Sequence, residues 1–146
     1  MVVKLAKVVW FLSLLGALAA LLIIYAALPE QVVVQQNDTK LMSLPRDSVF
    51  YLSLVVMTIA NVLVYIAAKA YAKNEAFRTW FYIFIATLNI FFVVTLNLLN
   101  TFNSVERFDY QRIDFIIYGS VILVVLWAVT WPFYLLYRKI SHKQTV

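Results

Sequence analysis

The segment from Trp80 to Leu99, WFYIFIATLNIFFVVTLNLL, runs for twenty residues without a charge. At about 1.5 Å per residue, a helix of that length covers roughly 30 Å, the thickness of a bilayer's hydrocarbon core. The rest of the chain is built the same way. Of its 146 residues 64% are hydrophobic and only 13% charged, where soluble domains average about 25% charged. Two Gly and three Pro leave little material for turns, so long helices with few connections follow. The expected solvent is lipid.

Three further uncharged runs accompany the first, which places the spans at about 8–28, 49–68, 80–99 and 115–137. In the earliest, Ala17-Leu18-Ala19 resembles a signal-peptide cleavage site. Cutting there would leave LLIIYAAL as an apolar N-terminus, so a signal anchor is the better reading. Pro29 ends this span, and a polar connection from Glu30 to Asp47 follows. Its β-branched run QVVVQQ suits a short extended segment along the membrane surface. Asn37-Asp38-Thr39 fits the glycosylation triplet, which matters only in a eukaryotic secretory pathway. Asp47 and Ser48, just after Pro45, are placed to cap the second span, and Asp114 to cap the fourth. The link from Lys69 to Thr79 is short enough to make spans two and three neighbours. Pro132 should kink or loosen the last turn of span four. The expected fold is all-α, a four-helix transmembrane bundle forming one membrane domain over residues 1–146.

Orientation follows from the basic residues. Lys4, Lys7, Lys69, Lys73, Arg78, Arg138, Lys139 and Lys143 fall on one side, opposed only by Glu75. The other side holds four basic residues and six of the seven carboxylates. The richer side marks the cytoplasm, which puts both termini inside and makes this a multi-pass protein of a cell membrane. Trp10, Tyr71, Trp80, Trp131 and Tyr137 are interleaved with the basic residues, as in an aromatic belt. Membrane lipids with anionic head groups, rather than nucleic acid, are the partners this pattern suits.

Most chemistry is disfavoured by what is missing. There is no Cys, and the one histidine, His142, lies near the C-terminus, so no metal or haem site is expected and no cofactor is implied. No Asp, Glu, Lys, Arg or His falls within the four cores, whereas ion-coupled transporters and intramembrane hydrolases need such a group. No catalytic residue is assigned. The outer carboxylates lack the spacing of a calcium loop and read as solvated charges. Ser13, Ser53, Ser120, Thr58 and Thr130 are expected to bond within their own helices. Asp47, Tyr51 and Ser53 are echoed by Asp114, Tyr118 and Ser120 in the fourth span, a pattern that two parallel hairpins would produce.

Asparagines are the strongest polar groups inside. Asn61 lies twelve residues in from Val49 and Asn89 ten in from Leu99, depths that differ by roughly 3 Å. A hydrogen bond between them is expected. Asn89, Asn97, Asn100 and Asn103 fall within about 120° on a helical wheel. That stripe either joins helices together or lines an outward-open cavity.

At Tyr25 to Gln36, YAALPEQVVVQQ, the chain resembles the first hairpin of the SdpI-like immunity family and its associated domain of unknown function. Leu28 and Pro29 match that family's Leu-Pro, and Val33 and Val34 its apolar pair, while Gln35 stands at its His position. The resemblance implies a small bacterial cytoplasmic-membrane protein and points to Pro29, Glu30, Gln35 and Gln36 as candidate recognition residues. Three functions are therefore carried forward. The first is an accessory subunit packing against other membrane protein subunits; the second is immunity or sensing through the outer loop; the third is a small channel or lipid-handling protein.

Overall fold

A computed structural model describes residues 1–37, 40–104 and 110–141. The order of elements is α1 (Val2–Ala27), β1 (Gln31–Asn37), β2 (Lys40–Pro45), α2 (Arg46–Ala70), α3 (Glu75–Phe102) and α4 (Tyr110–Ser141). All four helices contain a stretch long and apolar enough to cross a membrane. Most extend past the uncharged runs that announce them, because i→i−4 bonding continues through helix-favouring residues such as Lys4 and Ala6. α4 continues nine residues beyond Pro132.

Both expected caps are corrected. Asp114 lies inside α4, which begins at Tyr110. Asp47 sits in the first turn of α2, whose N-cap is Pro45 with no side-chain cap bond. The carboxylate of Asp47 accepts instead from the Tyr25 hydroxyl at 2.7 Å, and the Arg46 N–H donates to Glu30 O at 2.9 Å. The residue just before β1 thus satisfies one of the free N–H groups that open α2. α3 does carry a side-chain cap: Asn74 Oδ1 accepts from Phe77 N at 3.0 Å.

The run QVVVQQ is not a lone surface segment. It pairs antiparallel with Lys40–Pro45, with Gln31 opposite Pro45 and Val33 opposite Ser43, and the register shifts between Val33 and Gln35 to place Gln35 opposite Met42. The second strand, KLMSLP, has no Val, Ile or Thr and so carries little β-propensity of its own.

α3 is the axis of the packing. α1 lies along it, α2 contacts both, and α4 packs on α3. Among the described residues, α1, α2 and α3 form the core, and α4 packs on α3. Buried apolar side chains form two clusters. One joins Ala17, Leu21, Ile24, Met57 and Leu96 with Val32 at the foot of the hairpin; the other joins Ala6, Val64, Tyr82 and Ile85. By contrast, no residue in the most apolar stretch of α4 is buried.

Candidate functional site

A polar layer separates the two apolar clusters. On α2 the buried residues Met57, Asn61 and Val64 recur at i, i+4 and i+7, and on α3 Tyr82, Ile85, Ala86 and Asn89 do likewise. Each asparagine is therefore carried inward by the face that buries its neighbours. Asn61 is 8% exposed and Asn89 is completely buried.

The two amides face each other. Asn61 Nδ2 donates to Asn89 Oδ1 at 2.8 Å, and Asn89 Nδ2 returns a bond to Asn61 Oδ1 at 3.1 Å. The second hydrogen of Asn61 goes to Met57 O at 2.8 Å, and that of Asn89 to Ser13 Oγ at 3.0 Å. Trp10 Nε1 donates to Asn61 Oδ1 at 2.8 Å, and Ser13 donates onward to Trp10 O at 2.7 Å. All four amide hydrogens and both amide oxygens have partners. In a low-dielectric interior a network in which every amide hydrogen is partnered fixes which helix faces meet.

Trp10 and Ser13 were not legible as members of this layer. The tryptophan reads from sequence as a belt residue and the serine as bonded within its helix, a bond it makes to Trp10 O while also accepting from Asn89. One signal was available. Ser13 lies fifteen residues in from Leu28, against twelve for Asn61 from Val49, a difference in depth of about 5 Å.

The asparagine stripe does not act together. Relative to Asn89, a 100° wheel puts Asn97 about 80° away, Asn100 about 20° and Asn103 about 40° the other way. Asn97 is accordingly exposed and donates to Val93 O in its own helix at 2.7 Å. Asn100 is half-buried, and its backbone carbonyl accepts from Asn103 N at 3.1 Å. Asn103 reaches the hairpin. Its Oδ1 accepts from Val33 N at 2.7 Å, and its Nδ2 donates to Val33 O at 3.1 Å and to Leu99 O at 2.8 Å. The side-chain amide thereby pairs with β1 as a neighbouring strand would, at the residue where the register shifts.

Pro29 and Glu30 are exposed just before the hairpin, and Glu30 contributes its carbonyl to the Arg46 N–H. Gln35 and Gln36 stand opposite Met42 and Leu41; their side chains lie outside the described residues. Nearby, the Arg46 guanidinium lies 4.8 Å from the Tyr25 ring centroid, and that ring packs 4.8 Å from Phe50. Of the glycosylation triplet, positions 38–39 lie outside the described residues, as do Glu106 and Asp109. Among the described residues no three His, Cys, Asp or Glu side chains gather to hold a metal ion.

The opposite end of α3 meets α4 through aromatic rings. Phe77 lies 5.1 Å from Trp131 and 4.4 Å from Tyr71, while Trp80 lies 5.7 Å from Trp131 and stacks on Phe84 at 5.4 Å. Trp80 Nε1 also donates to the carbonyl of Trp127 at 3.3 Å.

Fold and polar layer together define a helical protein of the multi-pass type, with four candidate spans. No protein family, curated protein or solved structure matches the chain.

Proposed function

We propose that the chain is a small non-catalytic membrane protein, with both termini in the cytoplasm, that serves as a structural or accessory subunit against a larger membrane protein complex. The observation that carries this reading is the closed polar layer. Asn61, Asn89, Ser13 and Trp10 satisfy one another, so the polar groups at mid-depth work on packing rather than on a substrate. α4 adds to it: packed on α3 and with no buried residue in its most apolar stretch, it offers a long apolar face to a neighbouring helix. In bilayer, partner helices associate through such faces by close packing.

The test is a gentle-detergent pull-down of tagged protein from native membranes, followed by mass spectrometry. Stoichiometric recovery with one assembly supports the accessory role, and recovery alone removes it. Topology is checked separately in this cysteine-free chain. Cysteine placed at Asn37 should label from outside and at Lys73 from inside, and the reverse pattern overturns the orientation.

A second reading, recognition of a ligand or toxin by an SdpI-like protein of a bacterial membrane, is favoured by one feature. The outer connection is a paired hairpin clamped by Asn103, and a held strand presents its neighbours Pro29 and Glu30 in one fixed arrangement. Substitutions at these two residues that abolish protection against a toxin would select this reading.

A further inference from the structure

The aromatic contacts between α3 and α4 define an end of the molecule rich in basic residues. Tyr71 closes α2, Phe77 and Trp80 open α3, and Trp131 and Tyr134 belong to α4. Their rings are in continuous contact: Tyr71 to Phe77 at 4.4 Å, Phe77 to Trp131 at 5.1 Å, and Trp131 to Tyr134 at 5.5 Å. Basic residues ride on the same elements. Lys69 and Lys73 flank Tyr71, and Arg78 follows Phe77. Arg138 lies seven residues after Trp131 and four after Tyr134, hence on the same face of α4. Lys69, Lys73 and Arg138 are exposed. Arg78 spends one donor on Ala72 O at 3.3 Å, and its Nε meets no acceptor among the described residues. Residues 69–79 and 131–141 contain five basic residues and a single carboxylate, Glu75.

The ring contacts hold the α2–α3 turn, which carries Lys69 and Lys73, beside the stretch of α4 that runs on to Arg138, and like charges on neighbouring elements repel. A counter-anion at this end would relieve the repulsion and join α4 to the α2–α3 turn. We infer that this end is a seat for an anionic phospholipid, whose head-group phosphate lies among Lys69, Lys73 and Arg138 while its acyl chains run along the ring cluster. Two features select a lipid over a free anion. The cations stand at the ends of apolar helices, and the surface beside them is aromatic, the side-chain type that suits the head-group boundary. Head-group phosphate takes the ammonium and guanidinium donors as charge-assisted bonds. The inference rests on the membrane reading above.

The experiment uses the full chain in vesicles and reads tryptophan fluorescence, since Trp80 and Trp131 lie in the seat. Brominated phosphatidylglycerol and brominated phosphatidylcholine are compared as quenchers at equal mole fraction. The expected result is a preference of about fivefold or more for the anionic lipid, because one basic residue near such a head group is worth about that factor. Neutralising Lys69→Gln, Lys73→Gln and Arg138→Gln together should bring the ratio close to one, whereas Lys40→Gln with Arg112→Gln should leave it unchanged. If the triple variant does not fold, Arg138→Gln alone must still lower the preference, since this exposed residue takes no part in the ring contacts. Equal quenching by the two lipids overturns the seat and leaves the membrane reading intact. Quenching by neither overturns the membrane reading itself. Loss of the preference on adding inorganic phosphate, at constant ionic strength, would replace the lipid with a small-anion site and so overturn the proposal as stated.

Discussion

α1, α2 and α3 are held together differently from α4. In the three-helix core, directional bonds cross between helices at mid-depth, and apolar clusters seal them above and below. Among the described residues, α4 meets α3 through rings at one end and through a bond from the Trp80 indole to a backbone carbonyl. Ring contacts are worth about 0.5–1.5 kcal/mol each beyond area burial and tolerate sliding. Amide pairs do not tolerate it, because a small shift strands a buried donor at about 1–3 kcal/mol. The core is therefore specified in register, and α4 is specified only in neighbour.

The largest expected effect is in the core. Asn89→Leu removes three side-chain bonds and leaves Asn61 and Ser13 short of partners, which should cost about 2–3 kcal/mol. Thermal melting in detergent checks it; an unchanged melt would mean that apolar packing alone sets the core. Next comes Trp131→Ala, which strips the ring contacts to Phe77, Trp80 and Tyr134 and should weaken α4 docking by about 1–2 kcal/mol. Hydrogen exchange should quicken in α4 while protection in α1–α3 persists. Equal loss of protection in all four helices would erase the contrast between core and attached helix.

Smaller effects sharpen the boundary of the core. Asn103→Leu cuts both bonds to Val33 and should free the hairpin by about 1 kcal/mol, read as faster exchange of the Val33 amide with the Asn61–Asn89 layer unaffected. A slower melt-wide decline would place the hairpin inside the cooperative core. Asn74→Ala removes the cap of α3 and should cost about 0.5–1 kcal/mol. Its exchange signature belongs in the first turn of α3, and spread beyond Trp80 would show that the ring cluster depends on the cap.

How much of this was legible varies by residue. Asn61 and Asn89 could be set at one depth because a helix converts sequence distance into height, and their bond is a statement about height plus facing. Asn97 shows where that arithmetic stops. It lies on the wheel near its fellow asparagines, yet 80° is enough to turn it out of a core whose walls are α1 and α2. Asp47 reads as a cap by position, but it lies in the first turn of α2 and accepts from the Tyr25 hydroxyl, while the Glu30 carbonyl, brought near by the hairpin, takes the Arg46 N–H. KLMSLP gave no strand signal, because its extended form depends on pairing with β1.

The sequence by itself determined the four apolar helices and their approximate lengths. Helix formation in an uncharged run is local, since every backbone group bonds within four residues, and run length against bilayer thickness is a one-dimensional comparison. Only the tertiary structure decided that Ser13 bonds Asn89 across 76 residues, that Asn103 takes the backbone of Val33 across 70, and that α4 stands outside the core. Those outcomes depend on which faces meet once the helices exist. Several apolar faces here are nearly equivalent in hydrophobicity, so the choice between them falls to a handful of amides, hydroxyls and rings whose partners are far away in the chain.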